Sequence, residues 1–477
     1  MIHEAYEIVV GLEVHAQLQT KTKLFCGDSA AFGAAPNTHI SPVTLAHPGA
    51  LPMMNEQAIE YAIKLGLALH CDIVQENYFA RKNYFYPDLP KGYQISQHTT
   101  PICKNGYVTV GTRNIQLNRI HIEEDAGKSI HDADENYTCV DLNRAGVPLL
   151  EIVSEPDIHS SDEAFAYLTE LRRLVRWIDI CDGNMEEGSM RCDANISVRK
   201  KGVSQLGTRV EVKNLNSIRN VKKAIEMEAE RLIGIVETGG KIIQETRSFD
   251  ADKQITFSLR SKEDADDYRY FADPDLAPFH ITDETLASIK AAMPALPEAL
   301  VHKFVSAYNL TEYDAQFICS DRALVQYFES IIEHTTHYKA AANWIMGPIK
   351  SHLNETGNSI EAFKITPSGI ADLIQLIDAG KINFTNASTK IFHALAEDPS
   401  KKPLDIAVSL NLIQEQDAGS VEAWVDEVLE KLADKVKEYK SGKKGLMGLF
   451  AGEVKKLSKG KADMQLVNQL LAEKLNR

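Results

Sequence analysis

The 477-residue sequence has no CxxC pair, no complete phosphate-binding P-loop, no dinucleotide fingerprint and no long apolar run. Each absence removes a class of function. The seven cysteines (26, 71, 103, 139, 181, 192 and 319) build no even ladder either, which suits a reducing cytoplasm, and they are expected to be buried thiols. Without a glycine fingerprint, a nucleotide cannot be held on a glycine loop at a helix N-terminus. Gly127-Lys128-Ser129 copies the end of a P-loop, but Ile122 stands where its first glycine is required. The opening stretch MIHEAYEIVVGLEVH carries acids where an export signal needs a basic segment, so a cytoplasmic location is expected. Aromatic residues are only 7% of the chain, while 44% hydrophobic and 25% charged residues argue against disorder and membrane spans. A chain of this length favours more than one domain.

The net charge of -15 counts against a polyanionic partner, yet the sum hides a local reversal. Between Lys435 and Lys461 nine lysines face only Glu438 and Glu453, a balance of 9 - 2 = +7, so the rest carries -15 - 7 = -22. Such a stretch is either a solvated face or a phosphate-binding one, and composition leaves both open.

Up to about Pro294 the pattern is strand-rich, with YEIVVGLEVHAQL, CDANISVR and RVEVKNL alternating at period two. Beyond it the period turns helical, with Pro294 and Pro297 at the junction and Thr366-Pro367 as a helix start. The expected fold is therefore an α/β (α+β) first domain with a mainly antiparallel sheet, then an all-α domain and a small helical tail.

Chemistry concentrates in the first domain. Ile8, Val10, Leu12 and Val14 share one face of a strand while Glu13 and His15 share the other, roughly 7 Å apart. Asp193 and Asn195 repeat the pattern opposite Cys192, Ala194 and Ile196, as do Glu211 and Lys213 opposite Val210 and Val212. In RIHIEED, alternation would bury Glu124 with Ile120 and Ile122, so the strand is expected to end or bulge there and re-aim the carboxylate to the polar face. One imidazole and several carboxylates form a hard donor set that suits Mg²⁺ better than Zn²⁺. A solvated sheet face offers the same residues, and spacing alone does not decide. Arg81 to Tyr93, RKNYFYPDLPKGY, interleaves basic and aromatic residues in the manner of a single-stranded RNA platform or of packed turn residues.

GLEVHAQL, PGALP, RKNYFYPDLPKGYQISQ, EEDAGKS, VDLNRAGVPLLEIVSEPD, MEEGSMRCDANIS, VEVKNLNS, DDYRYFADPD and LVNQLL, in this order, resemble the B subunits of the three-subunit aspartyl/glutamyl-tRNA amidotransferases. The resemblance implies a cradle domain over 1-293, a helical domain over 294-405 and a tRNA-binding, YqeY-like tail over 406-477. It also implies partners, namely an A subunit that releases ammonia from glutamine and a joining C subunit, with mischarged Glu-tRNA(Gln) or Asp-tRNA(Asn) as substrate. ATP and Mg²⁺ are the implied cofactors. Metal and phosphoryl-transfer roles are carried onto Glu13, His15, Glu124, Asp193 and Glu211, with Glu123, Asn195 and Lys213 as neighbours and Lys213 as a γ-phosphate partner. In the tail, Lys443, Lys444, Lys455, Lys456 and Lys459 are the implied RNA contacts.

The sequence departs from the family at one place. Where many members carry four zinc-binding cysteines, this chain has Cys26, Asp28, Ser41 and Thr44. No structural zinc is expected, with Phe25, Phe32 and Leu45 packing the loop instead. Two other readings stand beside the main one. A purely RNA-binding or assembly module would tolerate losses among the carboxylates, and a ligase acting on a free amino acid would give the lysine-rich tail no purpose.

Overall fold

The structure, a computed structural model, describes residues 4–131, 134, 136–261, 268–414, 418–458 and 461–476. The chain divides into two compact units, 1–294 and 295–477.

The first unit is built on a ten-stranded sheet. We label its site-bearing strands and the two beside them in chain order: β1 (Tyr6–Gln17), β2 (Ala80–Asn83), β3 (Tyr93–Ser96), β4 (Arg113–Glu124), β5 (Pro148–Ser154), β6 (Met190–Lys200), β7 (Val210–Leu215), β8 (Glu245–Asp250) and β9 (Ile255–Ser261). The sheet order is β9-β8-β7-β6-β1-β5-β4, continued by the short strands Cys103–Lys104 and Asp72–Ile73. Every pair in the named run is antiparallel except β7 with β8. β2 and β3 form a separate small sheet with Phe271–Ala272.

Alternation decides which face is buried. Ile8, Val10, Leu12 and Val14 are at most 2% exposed, and Ala194, Ile196, Val210 and Val212 are fully buried beside them. Helices Ser161–Trp177 and Ile218–Glu237 pack on this face, where Tyr167 comes close to Cys192. Each begins at a serine whose hydroxyl accepts a backbone N–H, Ser160 from Glu163 and Ser217 from Asn220, as the first helical turn requires.

Three expectations need correction. There is no bulge at Glu124: β4 pairs β5 without a shift from Pro148↔Glu124 to Val153↔Arg119, and the irregularity comes only at Ser154. The strand ends at Glu124, as one of the two expected outcomes had it, but alternation is kept. His121 and Glu123 therefore join the polar face while Glu124 is held elsewhere. The cysteines are free but not uniformly buried, since Cys26 and Cys71 are half-buried and Cys139 is exposed on a two-stranded ladder. The Cys26 to Thr44 loop is not closed by Phe32, which is 76% exposed. Phe25 does pack there, edge-on against Phe79 with ring centroids 5.2 Å apart, and polar groups complete the closure. Asp28 Oδ2 accepts from Thr44 Oγ1 and from the Cys26 thiol, and these hydrogen bonds hold the Asp28 carboxyl below its usual range against its burial. Fully buried Lys23 donates to the carbonyls of His39 and Leu142.

The second unit is helical throughout its described residues, from Pro297–Tyr308 with Pro297 in its first turn to Met464–Asn476. Thr366 caps Pro367–Asp378 by accepting from Gly369, as the sequence suggested. Its last helices share a core of Val421, Val425, Phe450, Val454, Val467 and Leu471. Among the described residues no helix is long and apolar enough to cross a membrane.

Candidate active site

The polar face of the sheet carries a row of acids and imidazoles set by cross-strand register. His15 on β1 lies opposite Glu151 on β5, and Glu151 lies opposite His121 on β4. Opposed antiparallel residues have neighbouring side chains, so three strands deliver three functional groups to one line. The distances follow: His15 Nε2 is 3.3 Å from Glu151 Oε2 and 3.6 Å from Glu123 Oε1, and His121 Nε2 is 3.3 Å from Glu151 Oε2 and 3.4 Å from Glu123 Oε2. Two sets, Glu13-His15-Glu151 and His121-Glu123-Glu151, each bring three ligand atoms within 4.8 Å of one another.

Charge is concentrated here out of water. Burial, then the Glu151 charge, pushes the Glu13 carboxyl up to about 7, partly opposed by His15. Burial pulls both imidazoles down, but Glu151 and Glu123 outweigh it and raise His15 to about 8 and His121 to about 9. The imidazoles in turn hold Glu151 well below the usual carboxylate range despite its burial. Protons on the two histidines thus offset the carboxylate charge of the row. A divalent cation would take the same carboxylates and displace those protons. The oxygen-rich donor set fits Mg²⁺, and the buried His121 Nδ1, which has no hydrogen-bond partner among the described residues, marks how incompletely those groups alone satisfy the cluster.

Of the residues singled out from sequence, Glu13, His15 and Glu123 meet in this row. Asp193 is opposite Glu13 on β6, and Glu211 is opposite Asn195 on β7. Lys213 bridges Asp193 and Glu211, lying 3.0 Å from Glu211, and their charges raise its pKa against burial. Glu124 stays apart: its carboxylate pairs with Lys91 and accepts from the Ile95 N–H at 2.8 Å. Gly127-Lys128-Ser129 runs into the strand Lys128–Ile130 and opens no helix, so it forms no P-loop.

Sequence reasoning missed Glu151, His121, Lys82, Asp125 and Arg191. Asp125 accepts from Gln17 Nε2 at 2.8 Å and from Arg191 Nη2 at 3.0 Å, fixing the arginine beside His15, its β1 partner. Lys82 Nζ sits over the Tyr268 ring at 4.9 Å, and burial is outweighed by Glu123, Tyr270 and Glu151 in raising its pKa. Two cavities of about 270 and 310 Å³ open on the row. In the Arg81 to Tyr93 segment, Arg81 is tied to Asp273 and Asp275, while Phe85 and Tyr86 are exposed.

Cys26, Asp28 and Thr44 come together, with Cys26 Sγ 3.3 Å from Asp28 and 3.4 Å from Thr44. One thiol, one carboxylate and hydroxyls already bonded to one another do not fit tetrahedral zinc. In the tail, Lys443, Lys444, Lys455 and Lys456 are exposed, Lys443 pairing with Glu438 and Lys444 lying over Tyr439; Lys459 falls outside the described residues.

The GatB/GatE catalytic domain family matches residues 8–287, and the GatB domain family matches residues 326–475. The B subunit of the aspartyl/glutamyl-tRNA(Asn/Gln) amidotransferase from Geobacter sp. (strain M21) is 50% identical over 478 residues, covering 98% of this chain and 99% of its own. Its counterpart from Myxococcus xanthus (strain DK1622) is 47% identical with 98% of each covered, and that from Chlorobaculum tepidum is 50% identical with 99% of each.

Proposed function

This chain belongs to the GatB/GatE family, and from that premise we propose that it is the ATP-using, tRNA-handling B subunit of a three-subunit amidotransferase. It converts Glu on tRNA(Gln), or Asp on tRNA(Asn), to the amide. The observation that carries this reading is the Glu13-His15-Glu151-His121-Glu123 row, half-buried at Glu13 and His15 and buried at the other three, which lines two adjoining cavities.

A carboxylate is a poor electrophile, so it must first gain a leaving group. Its oxygen forms a bond to the γ-phosphorus of ATP, the bond from that phosphorus to the bridging oxygen breaks, and the electron pair leaves on ADP. Ammonia then adds to the acyl carbon and expels phosphate, passing one proton to it to leave the amide. Glu13, His15, Glu151, His121 and Glu123 are the residues that would hold Mg²⁺, which supplies charge neutralisation and alignment for phosphoryl transfer when bound. Arg191, fixed by Asp125, and Lys213, fixed by Asp193 and Glu211, offer donors to phosphate oxygens. The sheet face thus takes over the role of a glycine loop. Ammonia comes from an A subunit joined through a C subunit, and the exposed lysines of the tail grip the tRNA without taking part in the chemistry. The functional division proposed is 1-293, 294-405 and 406-477. The Cys26 to Thr44 loop is closed by hydrogen bonds of Asp28 and Lys23.

Co-expression with the A and C subunits, followed by amidation assays on both mischarged tRNAs, tests this reading. Amide on at least one of them is expected, and no product on either overturns it.

A further inference from the structure

The two cavities share only Lys82 and Glu123 among their lining residues. On one side stand His15, Asp125, Arg191 and Asp193; on the other stand Glu13, Arg119, His121, Glu151 and the stacked pair His98–Tyr270, whose ring centroids are 3.9 Å apart. Lys82 is therefore the cation of the partition between them. Its bonding differs from that of its neighbours. Arg191 is bound to Asp125, Lys213 to Asp193 and Glu211, Lys91 to Glu124, and Arg119 lies 3.9 Å from Glu151. Lys82 has no carboxylate within ion-pair distance among the described residues and rests instead on the faces of Tyr268, at 4.9 Å, and Tyr84, at 5.7 Å. A ring face positions an ammonium but leaves its N–H groups for a stronger acceptor, and phosphate oxygens are such acceptors.

We propose that Lys82 is a catalytic cation of the phosphoryl transfer, meeting the γ-phosphoryl group from the partition as that group passes from the nucleotide in one chamber to the aminoacyl carboxylate in the other. This rests on the reading given above. Lys82 keeps its proton throughout, since the carboxylate oxygen supplies the new bond and ADP carries off the electron pair of the old one. Its contribution is charge aimed at the equatorial oxygens, where negative charge spreads in a loose transition state. Lys82 thereby joins this reaction as a residue that strand alternation in the main sheet could not point to, because it comes from β2 in a different sheet.

The test uses the assembled trimer with ammonium chloride replacing glutamine, so that the A subunit's reaction is bypassed. ATP cleavage dependent on mischarged tRNA is measured for wild type, Lys82→Met and Lys82→Arg. For Lys82→Met, kcat is expected to fall on the order of 10²- to 10³-fold while the KM values for ATP and aminoacyl-tRNA stay within ~3-fold and the melting temperature is unchanged. Lys82→Arg, which keeps the charge, is expected to recover ~10-fold or more over Lys82→Met. A Lys82→Met kcat near wild type, a loss carried by KM alone, or equal inactivity of the two variants overturns the proposal. Absence of ATP cleavage in the wild type itself instead brings down the phosphoryl-transfer reading on which the proposal rests.

Discussion

The acid–imidazole row of the first unit and the lysine-rich tail of the second place charge in opposite ways. In the row, Glu123, Glu151 and His121 are each no more than 6% exposed, and every group is fixed by a cross-strand neighbour. In the tail, Lys443, Lys444, Lys455 and Lys456 stand in solvent around a small apolar core. Buried charge interacts strongly and with geometric demands, whereas exposed charge is screened and additive. A site for bond making therefore needs the first arrangement, and a grip on a long polyanion is served by the second. The two should fail in different ways when altered.

The largest effect is expected at Glu151, which touches both imidazoles. Glu151→Gln keeps shape, removes the charge shared by the two ligand sets, and is expected to lower amidation about 10²- to 10³-fold with tRNA affinity retained. A steady-state amidation assay beside a tRNA-binding titration checks it. Glu124→Gln sharpens the point, because Glu124 lies outside both ligand sets. Mg²⁺ affinity, read by calorimetry, is expected to stay near wild type in Glu124→Gln and to collapse in Glu151→Gln, while Glu124→Gln loses thermal stability by leaving Lys91 without its partner.

Replacing Lys443, Lys444, Lys455 and Lys456 by Gln is expected to flatten the salt dependence of tRNA binding by roughly 0.7 to 0.9 in logarithmic slope for each phosphate no longer neutralised. Glutaminase and ammonium-driven chemistry at saturating tRNA should be little changed. Affinities across a salt series decide the matter, and equal slopes would assign these lysines to a merely solvated face.

The smallest effect is a control within the second unit. Asp314 accepts from the Thr311 backbone and hydroxyl and pairs with Lys339; these bonds hold its carboxyl below the usual range against its burial. A depressed folded-state pKa gives stability that is present above the unfolded value and lost as pH falls through the folded one. Asp314→Asn is expected to cost about 1 kcal/mol near neutral pH, the usual size for a lost helix cap, with the difference from wild type shrinking in acid below about pH 4. Chemical denaturation at two pH values measures it, and amidation at moderate temperature should be unaffected.

The same contrast explains what could be read from sequence. The alternation of β1, β6 and β7 exposed the polar faces of Glu13-His15, Asp193-Asn195 and Glu211-Lys213, because period two is a local property. Following it through Arg119-His121-Glu123 would also have given His121; expecting a bulge turned attention to Glu124 instead. Glu151 had only the faint signal of one acid inside PLLEIVS. Its importance comes from lying between β1 and β4, and register between strands distant in sequence is not written in either strand alone. Lys82, Asp125 and Arg191 were hidden for the same reason. The polar closure of the Cys26 to Thr44 loop was hidden because it depends on Lys23 reaching the carbonyl of Leu142. The lysine excess of the tail was legible by counting, since exposed charge needs no partner to be noticed.

The central claim is that this chain activates the aminoacyl carboxylate on the Glu151-centred row. The most direct measurement is ATP cleavage dependent on mischarged tRNA and Mg²⁺, in the assembled trimer supplied with ammonium chloride, comparing wild type with Glu151→Gln at saturating tRNA. Robust cleavage by the wild type with almost none by the variant is the expected result, and comparable cleavage by both would contradict the account.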